Sequence, residues 1–229
     1  MLTERQAQDL EESLRQRYEL DWDQARVRDL TLKILYIKDL ETHLISQIEA
    51  GAWSLENFPY WAKVWESALV LADFMVAQEP VPGHRILELG AGLGFVGLFA
   101  AARGHLVTLT DNHPDALAFA TLSAYYNKLT NATIQFLDWH HPELGQAYDW
   151  LIGSELLYNP KFFDSLIELC HRYLAPGGRV YITQTAHFKG QYHFLELTQN
   201  RFVVRYRKKT LRLDQEPKTI LFFELRRPE

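Results

Sequence analysis

The chain has 229 residues, of which 47% are hydrophobic and 13% aromatic, so it can bury a sizeable core as one α/β domain with an extension. A formal net charge of −5 and a pI near 6.0 exclude a general basic field of the kind that attracts nucleic acid or anionic lipid. The single cysteine, Cys170, excludes a disulfide framework, and no signal peptide or membrane-length apolar run stands in the sequence. We therefore expect a cytoplasmic monomer that binds neither nucleic acid nor membrane.

Residues 1–58 are predicted to form an N-terminal helical extension. Residues 3–18 favour a polar helix, with Thr3 placed to cap its start. Residues 33–37 favour a short strand, and residues 39–51 favour a helix closed by the glycine at its end. The extension is therefore expected to be mostly helical.

A stronger helix is predicted over residues 58–78. Its apolar side chains recur at helical spacing and predict one buried stripe: Trp61, Val64, Trp65, Ala68, Leu71, Ala72 and Met75. Residues 79–84 contain two prolines and a glycine, which end this helix. Residues 59–229 are predicted to form a single domain.

From residue 85 onward, short apolar runs alternate with helical patterns. Strands are predicted over residues 85–89, 105–111, 133–138, 148–154 and 179–185, and helices over residues 95–103, 114–128 and 160–174. Residues 202–213 and 218–226 alternate apolar with polar side chains, which is typical of an antiparallel pair. The predicted fold class is α/β: a doubly wound, mostly parallel seven-stranded sheet with an antiparallel C-terminal edge.

Unusual polar residues follow the predicted strands at the ends where ligands of open α/β sheets bind. The glycine-rich stretch ILELGAGLGFVG, residues 86–97, follows the first of these strands, and Asp111, Asp138 and Ser154 follow later ones. Glycine lacks a Cβ, so such a loop lets a ligand approach the backbone closely. The sequence therefore predicts a ligand site at one edge of the sheet.

A dinucleotide is one candidate ligand, because Gly92, Gly94 and Gly97 match the G-x-G-x-x-G spacing. Three details argue against it. The strand already ends at a glycine that precedes this pattern, so the loop is longer than a dinucleotide-binding loop. Glu88 lies inside the strand, and Asp138 adds a further carboxylate. Carboxylates repel a pyrophosphate but stabilise a ligand with cationic amine and sulfonium groups. An oxidoreductase that uses a nicotinamide cofactor stays open as an alternative.

These stretches resemble a known family. LELGAGLG resembles the first motif of the seven-strand, class I methyltransferases that use S-adenosylmethionine. Together with KVWESALVLADFM, LDW and SELLYNP, it is similar to the methyltransferase-like lysine methyltransferases, also labelled nicotinamide N-methyltransferase-like. The resemblance covers residues 59–185 and implies a Rossmann-like methyltransferase fold, S-adenosylmethionine as cofactor, and N-methylation as the reaction.

The resemblance also implies a set of cofactor-binding residues. Asp111 would accept hydrogen bonds from the ribose hydroxyls, while Asp138 and Trp139 would frame the adenine. The complete predicted set is Trp65, Glu88, Gly90, Ala91, Gly92, Gly94, Asp111, Asn112, Asp138, Trp139 and Ser154.

The predicted catalytic residues are Glu155 and Tyr158, which fall on the family's acid-x-x-Tyr motif with Glu where many relatives carry Asp. A lysine acceptor has a reference pKa of about 10.4 and must lose a proton before it can accept a methyl group. A carboxylate and a phenol beside the amine could orient it and accept that proton. The expected substrate is therefore a lysine of a protein, with a small-molecule amine of the nicotinamide type as the alternative.

Each of these residues also has a structural interpretation. The glycines could form a tight turn without a ligand, Asp111 could cap the helix that Pro114 begins, and Trp65 could belong to the core. Glu155 and Tyr158 could be surface residues that lead into the next helix. A non-catalytic module that keeps the fold is the corresponding alternative for the whole protein.

No metal site is predicted. The histidines considered lack metal-ligand spacing with a cysteine or with one another: His113, His140, His141, His187 and His193.

Overall fold

The computed structural model describes residues 2–49, 59–187, 190–213 and 216–228. Its helices are α1 (Glu4–Arg15), α2 (Leu40–Glu49), α3 (Glu66–Ala77), α4 (Phe95–Arg103), α5 (Pro114–Tyr126), α6 (Phe163–Tyr173) and α7 (Gly190–Thr198). Its strands are β1 (Leu20–Val27), β2 (Leu30–Ile37), β3 (Arg85–Leu89), β4 (Leu106–Asp111), β5 (Ala132–Phe136), β6 (Tyr148–Ser154), β7 (Leu174–Thr185), β8 (Val203–Leu213) and β9 (Glu216–Arg226).

Strands β3 to β9 form a seven-stranded sheet in the order β5-β4-β3-β6-β7-β9-β8. The first five strands of this order are parallel, and β9 pairs antiparallel with both β7 and β8. The predicted mostly parallel sheet with an antiparallel C-terminal edge is thus confirmed. The order reverses between β3 and β6, so their carboxyl ends flank the crevice where such sheets bind ligands.

Two apolar clusters cover the two faces of the sheet. One cluster joins α3, α4 and α5 to the N-terminal extension, with Leu71, Phe99 and Phe119 fully buried. The other joins α6 and α7 to the opposite face, with Phe163 and Phe194 at its centre. Helix α7 had no counterpart among the predicted elements. The described residues contain no helix long and apolar enough to cross a membrane.

The N-terminal extension is helical at both ends and holds a β-hairpin between them. Helix α1 begins with a capping box, in which Thr3 and Gln6 each accept the other's backbone N–H. Strands β1 and β2 then pair antiparallel in their own two-stranded sheet. The sequence predicted only the second of these strands, and the glycine expected to close α2 lies outside the described residues.

Two polar side chains near the C-terminus of α5, Ser123 within the helix and Asn127 at its C-cap, fix this hairpin on the domain. The side-chain amide of Asn127 accepts from the N–H of Lys33 at 3.0 Å and donates to its carbonyl oxygen at 2.6 Å. Two residues along, the N–H of Leu35 donates to Oγ of Ser123 at 3.0 Å. The outer edge of β2 therefore bonds to side chains of a helix.

The helix predicted over residues 58–78 is confirmed over Glu66–Ala77, which is α3, and is wrong for the residues before it. Tyr60–Ala62 form one 3₁₀ turn, Trp65 takes an extended conformation at the N-cap position, and α3 begins only afterwards. Trp61 lies in the 3₁₀ turn, outside α3, where it is buried and its ring stacks on His113 with 4.8 Å between the ring centroids. The spacing of four residues between the two tryptophans was thus mistaken for a helical repeat.

Candidate active site

The polar residues predicted from the sequence gather at one edge of the sheet. The glycine loop follows β3, Asp111 ends β4, and Ser154 ends β6. Strand β3 lies between and parallel to the other two, so all three carboxyl ends meet at this edge. The topology alone therefore brings the loop and these side chains together.

The backbone of the glycine loop adopts conformations that would be strained for residues other than glycine. Gly90 and Gly92 have φ values of 60° and 53°, in the left-handed region. A Cβ on Gly92 would lie 2.8 Å from the carbonyl oxygen of Trp61, and one on Gly90 would lie 3.5 Å from the ring of Trp139. Gly94 starts α4 with a left-handed conformation of its own. The loop is thus a narrow backbone cradle between two tryptophan segments.

Asp111 lies directly against this cradle. One of its carboxylate oxygens accepts the N–H of Gly92 at 2.8 Å, and the other accepts the N–H of His113 at 2.9 Å. Burial raises the pKa of Asp111, whose exposed fraction is 7%, and the backbone hydrogen bonds oppose that rise. Each oxygen keeps a lone pair, so the carboxylate can still accept two hydroxyl groups.

Asp111 is not the cap of α5, which was its alternative structural role. That cap is His113, whose Nδ1 accepts the N–H of Asp115 at 3.2 Å. Asn112, between Asp111 and His113, is exposed. The glycine loop is also bonded to the end of β4, because the N–H of Ala91 donates to the Thr110 carbonyl at 2.9 Å. Asp111 therefore organises the loop itself.

Glu88 lies beneath the glycine loop. Its side chain is 2% exposed, and its Oε2 accepts the N–H of Gly97 at 2.9 Å. Burial raises the pKa of Glu88 to about 8, against the opposing hydrogen bond from Gly97. This carboxyl is therefore protonated at neutral pH and holds the first turn of α4 against β3.

Asp138 and Trp139 lie beyond the end of β5. Asp138 is partly exposed and accepts the N–H of His140 at 2.9 Å, and this hydrogen bond lowers its pKa. Trp139 is half-buried, with its ring over the Gly90 side of the loop. Trp139 thus borders the glycine loop, and Asp138 precedes it in the chain with its carboxylate bonded to His140.

An arc of five aromatic rings lines the crevice. Neighbouring ring centroids along the arc are 5.3 to 6.3 Å apart, in the order Trp65, Tyr60, Tyr158, Phe162, Trp139. Tyr60 and Tyr158 are stacked, and 37% and 40% of their surfaces are exposed. Neither Tyr60 nor Phe162 was predicted from the sequence as a site residue. Tyr60 directly follows the proline that precedes one 3₁₀ turn, and Phe162 lies two residues after the proline that opens another. These prolines are the signal from which both residues could have been predicted.

Glu155 is anchored to the end of β7. Its backbone is left-handed with φ 53°, and its N–H donates to the carbonyl of Thr183 at 2.9 Å. Its Oε1 accepts both the N–H of Thr185, at 2.9 Å, and the hydroxyl of that residue. Its Oε2 accepts from the amide of Gln184. A left-handed non-glycine residue costs about 1–3 kcal/mol, so these bonds stabilise a strained turn.

Tyr158 follows that turn and faces the crevice. Burial, the Asp111 carboxylate and the neighbouring Tyr60 all raise the pKa of its phenol. The phenol is therefore neutral at physiological pH, able to donate and to accept one hydrogen bond but not to act as a phenolate base.

The residues present fit a nucleoside carrying a cationic group. The glycine cradle admits a ligand to the backbone, Asp111 has free lone pairs for hydroxyls, and the ring of Trp139 offers a flat apolar face. Carboxylates at this edge favour a cation over a pyrophosphate. Within the described residues, no group of three or more His, Cys, Asp or Glu could hold a metal ion. Fold and site together define a class I methyltransferase that uses S-adenosylmethionine.

Comparison with known proteins identifies the family. Residues 57–201 match the family model described as lysine methyltransferase, and the chain belongs to that family. It is 30% identical over 154 residues to protein N-lysine methyltransferase METTL21A of Danio rerio, which covers 63% of this chain and 69% of the relative. It is 33% identical over 127 residues to EEF1A lysine methyltransferase 3 of Mus musculus, covering 53% and 54%.

A third relative has a different acceptor. Histone-arginine methyltransferase METTL23 of Rattus norvegicus is 33% identical over 115 residues, covering 47% of this chain and 51% of that protein.

Solved structures confirm the fold. The ribosomal protein L11 methylase of Lactobacillus delbrueckii subsp. bulgaricus superimposes with a TM-score of 0.57 at 16% identity, covering 73% of this chain and 81% of that one. The Pyrococcus abyssi tRNA (uracil-54, C5)-methyltransferase, solved in complex with S-adenosyl-L-homocysteine, superimposes with a TM-score of 0.54 at 17% identity, covering 89% and 44%. The expected enzyme class, an S-adenosylmethionine-dependent methyltransferase, is confirmed by the family.

Proposed function

We propose that this protein methylates the side-chain amine of a lysine in a protein substrate, and that the reaction occurs in the crevice where β3, β4 and β6 end. The observation that carries the proposal is the aromatic arc. Its Trp139 end lies beside Gly90 of the glycine loop, and Tyr158 at its centre is close enough to Asp111 for that carboxylate to raise the pKa of its phenol. Donor and acceptor would therefore meet between the loop and the arc.

The donor side of the crevice is the glycine loop with its neighbours. Bound S-adenosylmethionine supplies an electrophilic methyl group on a sulfonium. Asp111 would hold the ribose hydroxyls through its free lone pairs, and Trp139 with Asp138 would frame the adenine. Gly90 and Gly92 would let the ligand lie against the backbone. Trp65, Ala91, Asn112 and Ser154 would supply the remaining predicted contacts. Gly94 is buried against the side chains of Leu98, Leu109 and Ala120, and Glu88 lies under the loop, so these two would act indirectly by shaping the loop.

The acceptor amine must be neutral when it attacks. Deprotonating an ordinary lysine at pH 7 costs about 4–5 kcal/mol, from a pKa of about 10.4 and about 1.4 kcal/mol per unit. The aromatic arc is a poorly hydrated surface, which disfavours the charged form and lowers the pKa of an amine placed against it. Tyr60 and Tyr158 are the exposed members that an entering side chain would meet.

Glu155 and Tyr158 would share the work of orienting the amine. Glu155 Oε2 accepts one hydrogen bond, from Gln184, and so keeps a lone pair for an ammonium proton. The neutral phenol of Tyr158 would fix the direction of the nitrogen lone pair by a hydrogen bond. A positioned proton acceptor such as Glu155 typically contributes about 10²–10⁴-fold to the rate.

The experiment that tests this proposal uses the purified chain, a protein extract and isotopically labelled S-adenosylmethionine. We expect label on lysine residues of a small number of proteins, located by peptide mass spectrometry, and its loss with Tyr158→Phe. Tyr192→Phe is the matched control, because this tyrosine is 69% exposed on α7. Label on arginine, or only in the small-molecule fraction, would contradict the lysine assignment. Binding of NAD without binding of S-adenosylhomocysteine would contradict the enzyme class.

A further inference from the structure

Asp115 joins the N-terminal extension to the cofactor side of the domain. It is 7% exposed near the start of α5. Arg17 donates to its Oδ1 at 2.5 Å, and the phenol of Tyr18 donates to its Oδ2 at 2.6 Å. Burial alone would raise the pKa of Asp115, but these bonds outweigh it, and the pKa lies below its usual value. The carboxylate is therefore charged and engaged on both oxygens by the extension.

Three hydrogen bonds connect Asp115 to the glycine loop. Its N–H donates to Nδ1 of His113, and the N–H of His113 donates to Asp111 at 2.9 Å. Asp111 in turn accepts the N–H of Gly92. The backbone of residues 111–115 is thus tied at one end to the loop and at the other to the extension.

Ring contacts provide a second connection. The ring of Tyr18 lies edge-on to Trp61, with 6.1 Å between centroids, and Trp61 stacks on His113 at 4.8 Å. The carbonyl oxygen of Trp61 is the atom that a Cβ on Gly92 would meet. Tyr18 therefore contacts both Asp115, from which hydrogen bonds run to Asp111, and Trp61, whose carbonyl lies against the glycine loop.

We infer that Arg17 and Tyr18 are positioning residues for the methyl donor: by holding Asp115 and Trp61, they set the place of the Asp111 carboxylate and of the glycine loop. Both residues lie outside residues 57–201, the region shared with the lysine methyltransferase family. The inference rests on the proposed function, because it takes Asp111 as a cofactor contact. It makes the N-terminal extension a part of the donor site.

The extension offers a matched control. Arg28, in the turn after β1, pairs with Asp73 on α3 at 2.9 Å and also donates to the carbonyl of that residue. This pair joins the extension to the same domain but touches neither the β4–α5 connection nor the glycine loop. Loss of either tether should lower the melting temperature, whereas only the loss of Arg17 or Tyr18 should change cofactor affinity.

The test is titration calorimetry with S-adenosylhomocysteine on the full chain. Tyr18→Phe and Arg17→Gln should each raise Kd about three- to tenfold, as expected for one lost hydrogen bond to a charged group acting through a neighbour. Arg28→Gln should keep Kd within about twofold, whatever its melting temperature. Arg17→Lys should restore most of the affinity, because it returns a cation to Asp115.

The outcomes separate the two proposals. If the wild-type chain does not bind S-adenosylhomocysteine, the proposed function fails and this inference fails with it. If the wild type binds and Tyr18→Phe binds equally well, the cofactor site stands and the positioning role is overturned. Equal losses of affinity in Arg28→Gln and Arg17→Gln, in proportion to their melting temperatures, would overturn it as well, since general destabilisation would then explain both.

Discussion

Replacing Glu88 by glutamine should remove a pH dependence of stability that the buried carboxyl imposes on the fold. Glu88 is 2% exposed beneath the glycine loop, and burial raises its pKa to about 8. Glutamine has nearly the same shape and keeps an oxygen for the N–H of Gly97. The substitution therefore removes the titration while retaining the contact.

The sign follows from the two pKa values. In the unfolded chain the carboxyl has its ordinary pKa of 4.5, and in the folded chain about 8. Between these values the unfolded chain binds fewer protons, so the stability that Glu88 contributes is complete below pH 4.5 and is lost as the pH rises to 8. At about 1.4 kcal/mol per pH unit, tapering near 8, the loss between pH 6 and pH 8 is about 2 kcal/mol.

Urea denaturation followed by tryptophan fluorescence at pH 6, 7 and 8 measures this loss. The unfolding free energy of the wild type should fall relative to that of Glu88→Gln by about 2 kcal/mol across the range. Glu12→Gln, at an exposed position of α1, should follow the wild type. If the unfolding free energies of the wild type and Glu88→Gln changed with pH in parallel, the reasoning would be refuted, because Glu88 would then ionise normally in the folded chain.

Three further predictions concern the crevice. Asp111→Ala should weaken S-adenosylhomocysteine binding by about 1.5–3 kcal/mol in calorimetry, as loss of a charged acceptor does; unchanged affinity would show that Asp111 only holds its own loop. Gly92→Ala should lower both the melting temperature and the affinity, since left-handed alanine costs about 1–2 kcal/mol and its Cβ would meet the carbonyl of Trp61; a variant of wild-type stability would contradict this geometry. Glu155→Gln and Tyr158→Phe should each cut turnover about 10²-fold, while the Kd for S-adenosylhomocysteine stays within about threefold of the wild-type value. The activity of Glu155→Gln should recover as the pH nears the pKa of the acceptor amine. A parallel loss of cofactor binding would instead assign their turn to the donor pocket.

Much of the sheet and the glycine loop could be predicted because the signals there are local. The strand Arg85–Leu89, the helix Phe95–Arg103 and the strand Tyr148–Ser154 agree with the predictions residue by residue. Gly104 closes α4 with a left-handed conformation, and Pro114 starts α5, as expected. Apolar runs, glycine and proline carry this information within a few residues of the position they determine.

The features that were not predicted from the sequence depend on contacts between residues far apart in the chain. Nothing near Tyr60 indicates that its ring will stack on Tyr158, almost a hundred residues further along the chain. Nothing near Glu155 shows that Thr185 will bind its carboxylate, so the sequence predicted a proton acceptor but not its anchor. The first strand of the hairpin was missed because half of Leu20–Val27 is polar, only its two end residues are buried, and it is stabilised by its partner β2.

The contact between β2 and α5 has a consequence for how the protein behaves in concentrated solution. A strand at the edge of a small sheet normally exposes peptide groups that can recruit a strand from another molecule. Here the amide of Asn127 imitates a peptide unit and occupies both backbone groups of Lys33, while Ser123 occupies the N–H of Leu35. Ser123 of α5 and Asn127 at its C-cap thus shield part of this edge against intermolecular pairing.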